Sequence, residues 1–307
     1  MIRGERYGMS IVLVTDSASR VAAVIDTIRR AASKGAVEIV VVCPHDVSGS
    51  LDSDVKVVAV SSVYPLASAR AAGIIGASGR YVFIGETHSF PRPGMFDALL
   101  TAHNVGGTVA VPAFENENPA TLVSWAGFIN GYAPWSVGRS GGMLSYGPLF
   151  NVSYDRDFLV GLGDILGNVL TSGEDLMSRI KSVKGRVMFE PDAVIGHVNI
   201  ARLDSWLAQR IVAGRVIASV RSASWTIPRR LMYAIAFPLI PFVLMYRHRS
   251  SIARTVRTNG VSSALWPLLF LGMIFQAYGE AIGYALGRDE KSERRYDEYE
   301  IEQMNYA

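Results

Sequence analysis

Glu86 and His88 stand two residues apart at the exit of a short apolar run, Tyr81 to Ile84, within GRYVFIGETHSFPRPG from Gly79 to Gly94. The run predicts a buried strand, and Gly85 with Pro91 and Pro93 stops it. If the backbone stays extended there, residues two apart point the same way, so a carboxylate and an imidazole face one point. Such a pair is half of a cation site; the alternative is an ordinary solvated loop. A second pair of acids, Glu174 and Asp175, opens a helix predicted from about Leu176 to Val183. The helix dipole favours negative charge at that end.

The elements around these residues read as an α/β chain. Ser10 to Val14 is a β-branched strand, Asp16 and Ser17 offer N-cap chemistry for a helix from about Arg20 to Ser33, and Glu38 to Val42 is a second strand. Strand, helix and strand at this spacing make a parallel βαβ unit, whose carboxyl edge is where ligands bind. Asp16 sits on that edge, placed either to hold a nucleotide's ribose or base or to cap the helix. Lys56 to Val60 gives a third strand, and LASARAAGIIGA a helix over Tyr64 to Ala77. Phe96 to His103 reads as helix and Thr108 to Pro112 as strand, followed by the polar ENENP. Aromatic residues cluster from Leu122 to Trp135, and SVGRSGG, residues 136–142, lacks P-loop spacing and reads as a mobile flap. Beyond a strand at Asn151 to Tyr154, two short extended runs, Val187 to Phe189 and Ala193 to Ile195, flank Pro191 and lead to His197. A helix spans Ser205 to Ser219.

Composition narrows the class. Half of the 307 residues are hydrophobic and 19% are charged, below the usual quarter, which implies apolar surface hidden somewhere besides the protein's own core. One cysteine, Cys43, excludes an internal disulfide and a cysteine-built metal cluster. The net charge of +3 is modest and the basic clustering lies past residue 200, so nucleic acid is not indicated. The apolar run after MIRGERYG is too short for a signal peptide, and the bulk of the protein is expected in the cytosol.

Two uncharged runs, Leu231 to Tyr246 and Gly260 to Gly279, hold Pro238, Pro241 and Pro267; only the second approaches the about 20 residues a span needs. Arg229 and Arg230 precede the first run, and Arg247, Arg249, Arg254 and Arg257 separate the two. A spanning hairpin would put one basic group outside, against the positive-inside tendency. Helices that dip into or lie along one leaflet fit better; the alternative is a helical subdomain packed on the rest of the chain or on a second subunit. Glu280 is placed to cap or turn the last helix, and the charge-dense end after Gly287 is expected to be solvated or disordered.

In their order along the chain these motifs resemble the inverting family 2 glycosyltransferases of GT-A fold. The carriers are Ala69-Arg70-Ala71-Ala72-Gly73 before the fourth strand, Glu86-Thr87-His88 where the family has Asp-x-Asp, Glu174-Asp175 opening a helix, and KGRVMFEPDAVIGH ending at His197. The resemblance covers about residues 8 to 220. It implies a mixed, mostly parallel sheet flanked by helices, with a C-terminal apolar helical appendage. Asp175 would be the catalytic base and Glu174 would position the acceptor. Glu86, His88 and His197 would hold a divalent ion, and Arg70 would contact phosphate, with Arg210 and Arg215 as further donor-binding candidates. Asn116, Asn118 and Asn151 are candidate sugar contacts, and Trp125 and Trp135 candidate stacking platforms. Glu-x-His in place of Asp-x-Asp shifts the preference from Mg²⁺ toward Mn²⁺, or removes the metal altogether.

The resulting expectation is a catalytic domain over 1–220, a membrane-associated helical region over 221–288 and a tail over 289–307. The function it implies is transfer of a sugar with inversion, from a nucleotide-activated donor to a lipid-linked or glycan acceptor. The expected location is the cytoplasmic face of a membrane, bound peripherally or monotopically, and the C-terminal helices are the expected site of any homo-oligomer. The alternatives are an inactive GT-A-like scaffold and a metal-independent transferase using a lipid-phosphate sugar.

Overall fold

The computed structural model describes residues 7–33 and 37–307; the first six residues of the N-terminal stretch discussed above lie outside them. The chain divides into two compact units, one of residues 1–115 and 139–196, the other of 116–138 and 197–307. This departs from the contiguous boundary at residue 220, because the segment carrying the aromatic cluster groups with the C-terminal helices.

The first unit is organised by a sheet. β1 (Met9–Val14) is buried at every position, as a strand covered on both faces must be. α1 (Ala18–Ala31) buries Val21, Val24, Ile25 and Ile28 along one stripe. β2 (Val37–Pro44) runs parallel to β1, and β3 (Lys56–Val60) parallel to β2. α2 (Leu66–Gly76) lies close against the sheet because of Gly73: a Cβ there would meet Val12 Cγ1 at 2.5 Å and Val42 Cγ2 at 2.7 Å. β4 (Tyr81–Ile84) pairs parallel with β1 on the side away from β2. β5 (Ser89–Pro91), α3 (Met95–Asn104) and β6 (Val109–Asn116) follow. α4 (Leu122–Tyr132) belongs to the second unit. β7 (Gly142–Leu144), β8 (Val152–Asp155), α5 (Arg156–Val160), α6 (Leu166–Val169), α7 (Gly173–Ser182) and β9 (Val187–His197) complete the sheet side.

The strand order is β3-β2-β1-β4-β8-β6-β9-β5, with β7 on β9. β8 is antiparallel to both β4 and β6, so the sheet is mixed, with its parallel pairs at the β3-β2-β1-β4 end. From β1 the chain goes on to β2 and from β4 toward β5, strands on opposite flanks of the β1–β4 pair in the strand order. The carboxyl ends at such a divergence are the usual ligand position in sheets of this kind. Asp16 and Glu86 are the residues that leave those ends.

Three local expectations change. The prolines after Gly85 do not end pairing, since Ser89–Pro91 is a strand at the sheet's rim, where a missing N–H is tolerated. The two runs around Pro191 are one strand of 11 residues. Its pairing with β7 ends at Phe189, and Arg92 N next donates to Val194 O, so Pro191 falls between partnered stretches. The last residue of the flap, Gly142, begins β7.

The second unit is helical: α4, α8 (Leu203–Arg221), α9 (Ile227–Ile235), α10 (Ile240–Asn259), α11 (Leu265–Leu286) and α12 (Glu290–Ile301). α11 is long and apolar enough to cross a bilayer by length and composition. It packs backbone to backbone on α8: a Cβ on Gly214 would lie 2.1 Å from Gln276 O, and one on Gly279 2.0 Å from Ile211 O. Glu280 does not cap the helix; it is buried within α11, accepting from Gln276 Nε2 at 3.0 Å, with Arg221 Nη1 3.8 Å away. The charged tail is also ordered. Asp289 caps α12 by accepting from Ser292 N at 2.9 Å, and Tyr299 and Ile301 are buried. Its many charges form helical pairs such as Arg294–Glu298 at 3.2 Å, so charge density concealed an amphipathic helix.

Candidate metal centre

Gly85 carries the chain out of β4, its N–H donating to Val12 O at 2.9 Å. The backbone then turns instead of remaining extended: Ser89 N reaches back to Glu86 O at 3.3 Å. The turn brings His88 Nε2 to 3.4 Å from Glu86 Oε2, with both side chains buried. The convergence expected from extended geometry therefore exists, produced by different geometry.

Asn151 holds the carboxylate from the neighbouring strand. It sits in the left-handed region at φ 55°, a conformation asparagine tolerates. Its N–H donates to Ile84 O at 2.7 Å, and its side-chain amide donates to Glu86 Oε2 and, at 2.9 Å, to Ser89 Oγ. It is fully buried, with its side-chain amide engaged by Glu86 and Ser89.

His197 ends β9. Its Nδ1 lies 2.9 Å from Asn199 Oδ1, and because an amide oxygen only accepts, Nδ1 carries a proton, the tautomer that in a neutral ring places the lone pair on Nε2. Asn199 is fixed in turn: its side-chain amide donates to Asn116 Oδ1 at 2.9 Å, and its N–H donates to Asn118 Oδ1 at 2.8 Å. Asn118 Nδ2 donates back to Asn199 O at 2.7 Å, and Ser124 Oγ lies 3.0 Å from Asn116 Oδ1 and 2.9 Å from Asn118 Oδ1, its single proton shared between the two. Asn116 and Asn118 are thus engaged in this network. Asn199 was not among the sequence candidates; its position two residues after a strand-terminal histidine was the available signal.

One ligand atom each from Glu86, His88 and His197 lie within 4.8 Å of one another, all three residues buried. Ligands at about 2.0–2.2 Å from an ion lie at most about twice that apart, so small side-chain adjustments close the set. Two imidazole nitrogens with one carboxylate suit a transition ion of the Mn²⁺ type better than Mg²⁺. The residues present fit a divalent cation.

The other predicted residues are placed as follows. Asp16 pairs with Arg20 at 2.6 Å on the first turn of α1. Arg70 is buried with its guanidinium 3.5 Å over the Phe150 ring. Arg210 and Arg215 belong to the helical unit, where Arg210 donates to Gln276 Oε1 and Arg215 lies 3.3 Å from Asp289. Burial lowers the Arg210 guanidinium's pKa. Both tie α8 to its neighbours. Trp135 is buried, and Trp125 donates to Pro119 O at 3.0 Å. In α7, Ser172 caps the helix by accepting from Asp175 N at 3.3 Å, and the Asp175 carboxylate accepts from Arg179 at 3.1 Å while remaining half-exposed. Glu174 shares that first turn.

No protein-family model matches the chain, and no curated protein matches it by sequence. Among solved structures it is similar to the mannosyltransferase PcManGT from Pyrobaculum calidifontis, in complex with GDP-Man and Mn²⁺. The TM-score is 0.55 at 14% identity, over 90% of this chain and 88% of that one. The fold is a glycosyltransferase fold. The expectation of a mixed α/β sheet flanked by helices with a C-terminal helical appendage thus holds. Within that glycosyltransferase fold, the acid-and-imidazole cluster stands at the carboxyl edge of the sheet.

Proposed function

We propose that the protein is an inverting glycosyltransferase of the family 2 type, a hexosyltransferase that uses a nucleotide-activated sugar and a divalent cation. The observation that carries this reading is the buried Glu86–His88–His197 cluster beside the sheet's switch point. The fold likeness to a protein solved with GDP-Man and Mn²⁺ supports it. The acceptor is a lipid-linked or polysaccharide hydroxyl presented at the cytoplasmic face of a membrane. That part rests on the apolar, arginine-rich helical unit and on the single free cysteine.

The reaction is an in-line displacement at the anomeric carbon. The acceptor oxygen forms the new bond as the bond to the diphosphate breaks, and the hydroxyl proton passes to the base. Asp175 is that base, half-exposed and held by Arg179 in a defined orientation; Glu174 positions the acceptor. Glu86, His88 and His197 would hold a divalent cation, which would supply neutralisation of the departing diphosphate. Asn151 and Asn199 keep the carboxylate and the His197 ring in place.

Nucleotide diphosphate sugars are screened by thermal shift with and without Mn²⁺, followed by release of nucleoside diphosphate. A donor that raises the melting temperature only with the cation, and is turned over, is the expected result. Asp175→Asn lowers transfer by about 10²–10⁴-fold with donor binding retained. Indifference to every nucleotide, with or without cations, overturns the proposal in favour of a scaffold.

A further inference from the structure

In the helical unit α9 and the start of α10 form an elbow, bent by 49° at residue 236. One side of α9 is anchored: Trp225 stacks on Tyr284 with ring centroids 5.6 Å apart, Tyr233 lies 5.5 Å from Tyr284, and Arg230 Nε donates to Tyr284 O at 2.8 Å. The other side faces outward and is apolar. Ile227, Leu231 and Ile235 are spaced four apart, so they share one helix face; Ile227 and Ile235 are 70% and 77% exposed. Leu239 at 64%, Phe242 at 63%, Val243 and Tyr246 continue the surface onto α10. Exposed apolar area of this extent on one element marks an interaction surface.

A cleft of about 250 Å³ opens beside it, lined by Phe237, Pro238, Pro241, Phe242, Phe270 and Ile274 without a charged group. It is smaller than a typical drug-sized site of about 300 Å³ and above, and suits a stretch of hydrocarbon chain. The charge around the elbow has one sign. Residues 227–249 carry four arginines, at 229, 230, 247 and 249, and no lysine, aspartate or glutamate. Arg229 lies 4.0 Å over the Trp225 ring and Arg249 3.9 Å over Tyr246, which sets guanidinium groups at the margin of the apolar surface.

We infer that residues 227–246 are a monolayer-inserting element that recognises an anionic lipid surface: the Ile227–Leu231–Ile235 face and Leu239 enter the acyl region, the cleft takes one lipid chain, and the arginines meet phosphate headgroups. α11, the helix with the composition of a span, is the internal support on which the elbow is mounted. This deepens the membrane part of the proposed function and rests on that reading, and it uses none of the metal-centre residues.

The test is flotation of the full-length protein with vesicles of phosphatidylcholine alone or mixed with phosphatidylglycerol, at low and high salt, without donor or metal. The wild type floats with the mixed vesicles, and salt weakens it. Ile235→Glu with Leu239→Glu reduces partitioning by at least about tenfold, since each buried aliphatic side chain carries about that factor. Arg229→Gln with Arg247→Gln lowers binding to the mixed vesicles by about fivefold per residue and leaves the weak binding to neutral vesicles unchanged. Melting temperature and Mn²⁺ binding of the same variants stay at wild-type values, which separates this surface from the transferase reading. A wild type that stays unbound with both vesicle types overturns the inference, as do elbow variants that float equally well. A dimer in sedimentation velocity that the Glu variants dissociate, without flotation, assigns the surface to a second copy and also overturns it.

Discussion

Two buried carboxylates sit at opposite ends of the parallel strands, and they are held in different ways. Glu38, near the start of β2, lies opposite Ser10 in register. It accepts from Ser10 Oγ at 2.5 Å, Ser78 Oγ at 2.6 Å and Ser78 N at 2.7 Å, with Lys56 Nζ at 3.4 Å. Glu86, just past the end of β4, accepts from the Asn151 amide and, at 3.4 Å, from Ser89 Oγ, and shares its face with two imidazoles. Burial pushes the Glu38 carboxyl up, but the Ser10 and Ser78 hydrogen bonds and Lys56 outweigh it and leave the pKa below its ordinary value. At Glu38 the fold supplies hydroxyls, an N–H and its own cation. At Glu86 it supplies an amide and a hydroxyl donor and beside them two imidazoles, a set whose composition suits a cation from outside.

The comparison breaks most directly on the ligands. Glu86→Ala and His197→Ala each weaken Mn²⁺ binding by more than the about 100-fold that outer partners carry, read by electron paramagnetic resonance of the unbound ion. Wild-type affinity in either variant would make the cluster a coincidence of burial. Glu38→Ala is the control at the opposite edge. It strands the Ser10 and Ser78 donors and lowers unfolding stability by about 2–4 kcal/mol in denaturant titration, with Mn²⁺ affinity unchanged.

The same contrast marks what the sequence made legible. The strands β1, β2, β3 and β4 announced themselves by short apolar runs between turn residues, and Glu86 and His88 by their place at a strand's exit. Glu38 looked like the first residue of a strand and nothing more, because its partners Ser10 and Ser78 are serines, remote in sequence, that join it only through the register of β1 against β2. The arginines misled for a related reason. Arg210 and Arg215 read as a basic face, but their partners Gln276 and Asp289 come from helices 60 or more residues later, brought close by glycines at 214 and 279. Asn199 escaped notice since a polar residue after a strand carries no signal until the ring it orients is known.

The asparagines sharpen the comparison at smaller scale. Asn199→Ala removes the acceptor that fixes the His197 proton on Nδ1, and Asn151→Ala frees the Glu86 carboxylate. Each weakens Mn²⁺ binding by about 10–100-fold without abolishing it. Asn199→Asp, which keeps an acceptor oxygen, retains most of the affinity. Equal loss in Ala and Asp variants would mean that the asparagine serves packing alone.

The smallest effect concerns the cation that Glu38 already has. Lys56 is 44% exposed, so its attraction is screened by water, and Lys56→Met changes stability by less than about 1 kcal/mol near neutral pH. The sign of its pH dependence follows from the carboxyl itself. Because the folded pKa lies below the ordinary 4.5, the unfolded chain binds the proton more readily. The stabilisation is therefore present above that ordinary value and is lost as pH falls through the folded one. Lys56→Met leaves most of that acid-side slope, since the serine hydroxyls and the Ser78 N–H still favour the anion, whereas Glu38→Gln removes the carboxyl's whole share. Melting temperatures across the acid range separate the two variants. If Lys56→Met flattens the curve as much as Glu38→Gln, Glu38 too depends on a cation and the distinction between the two ends of the sheet is one of degree.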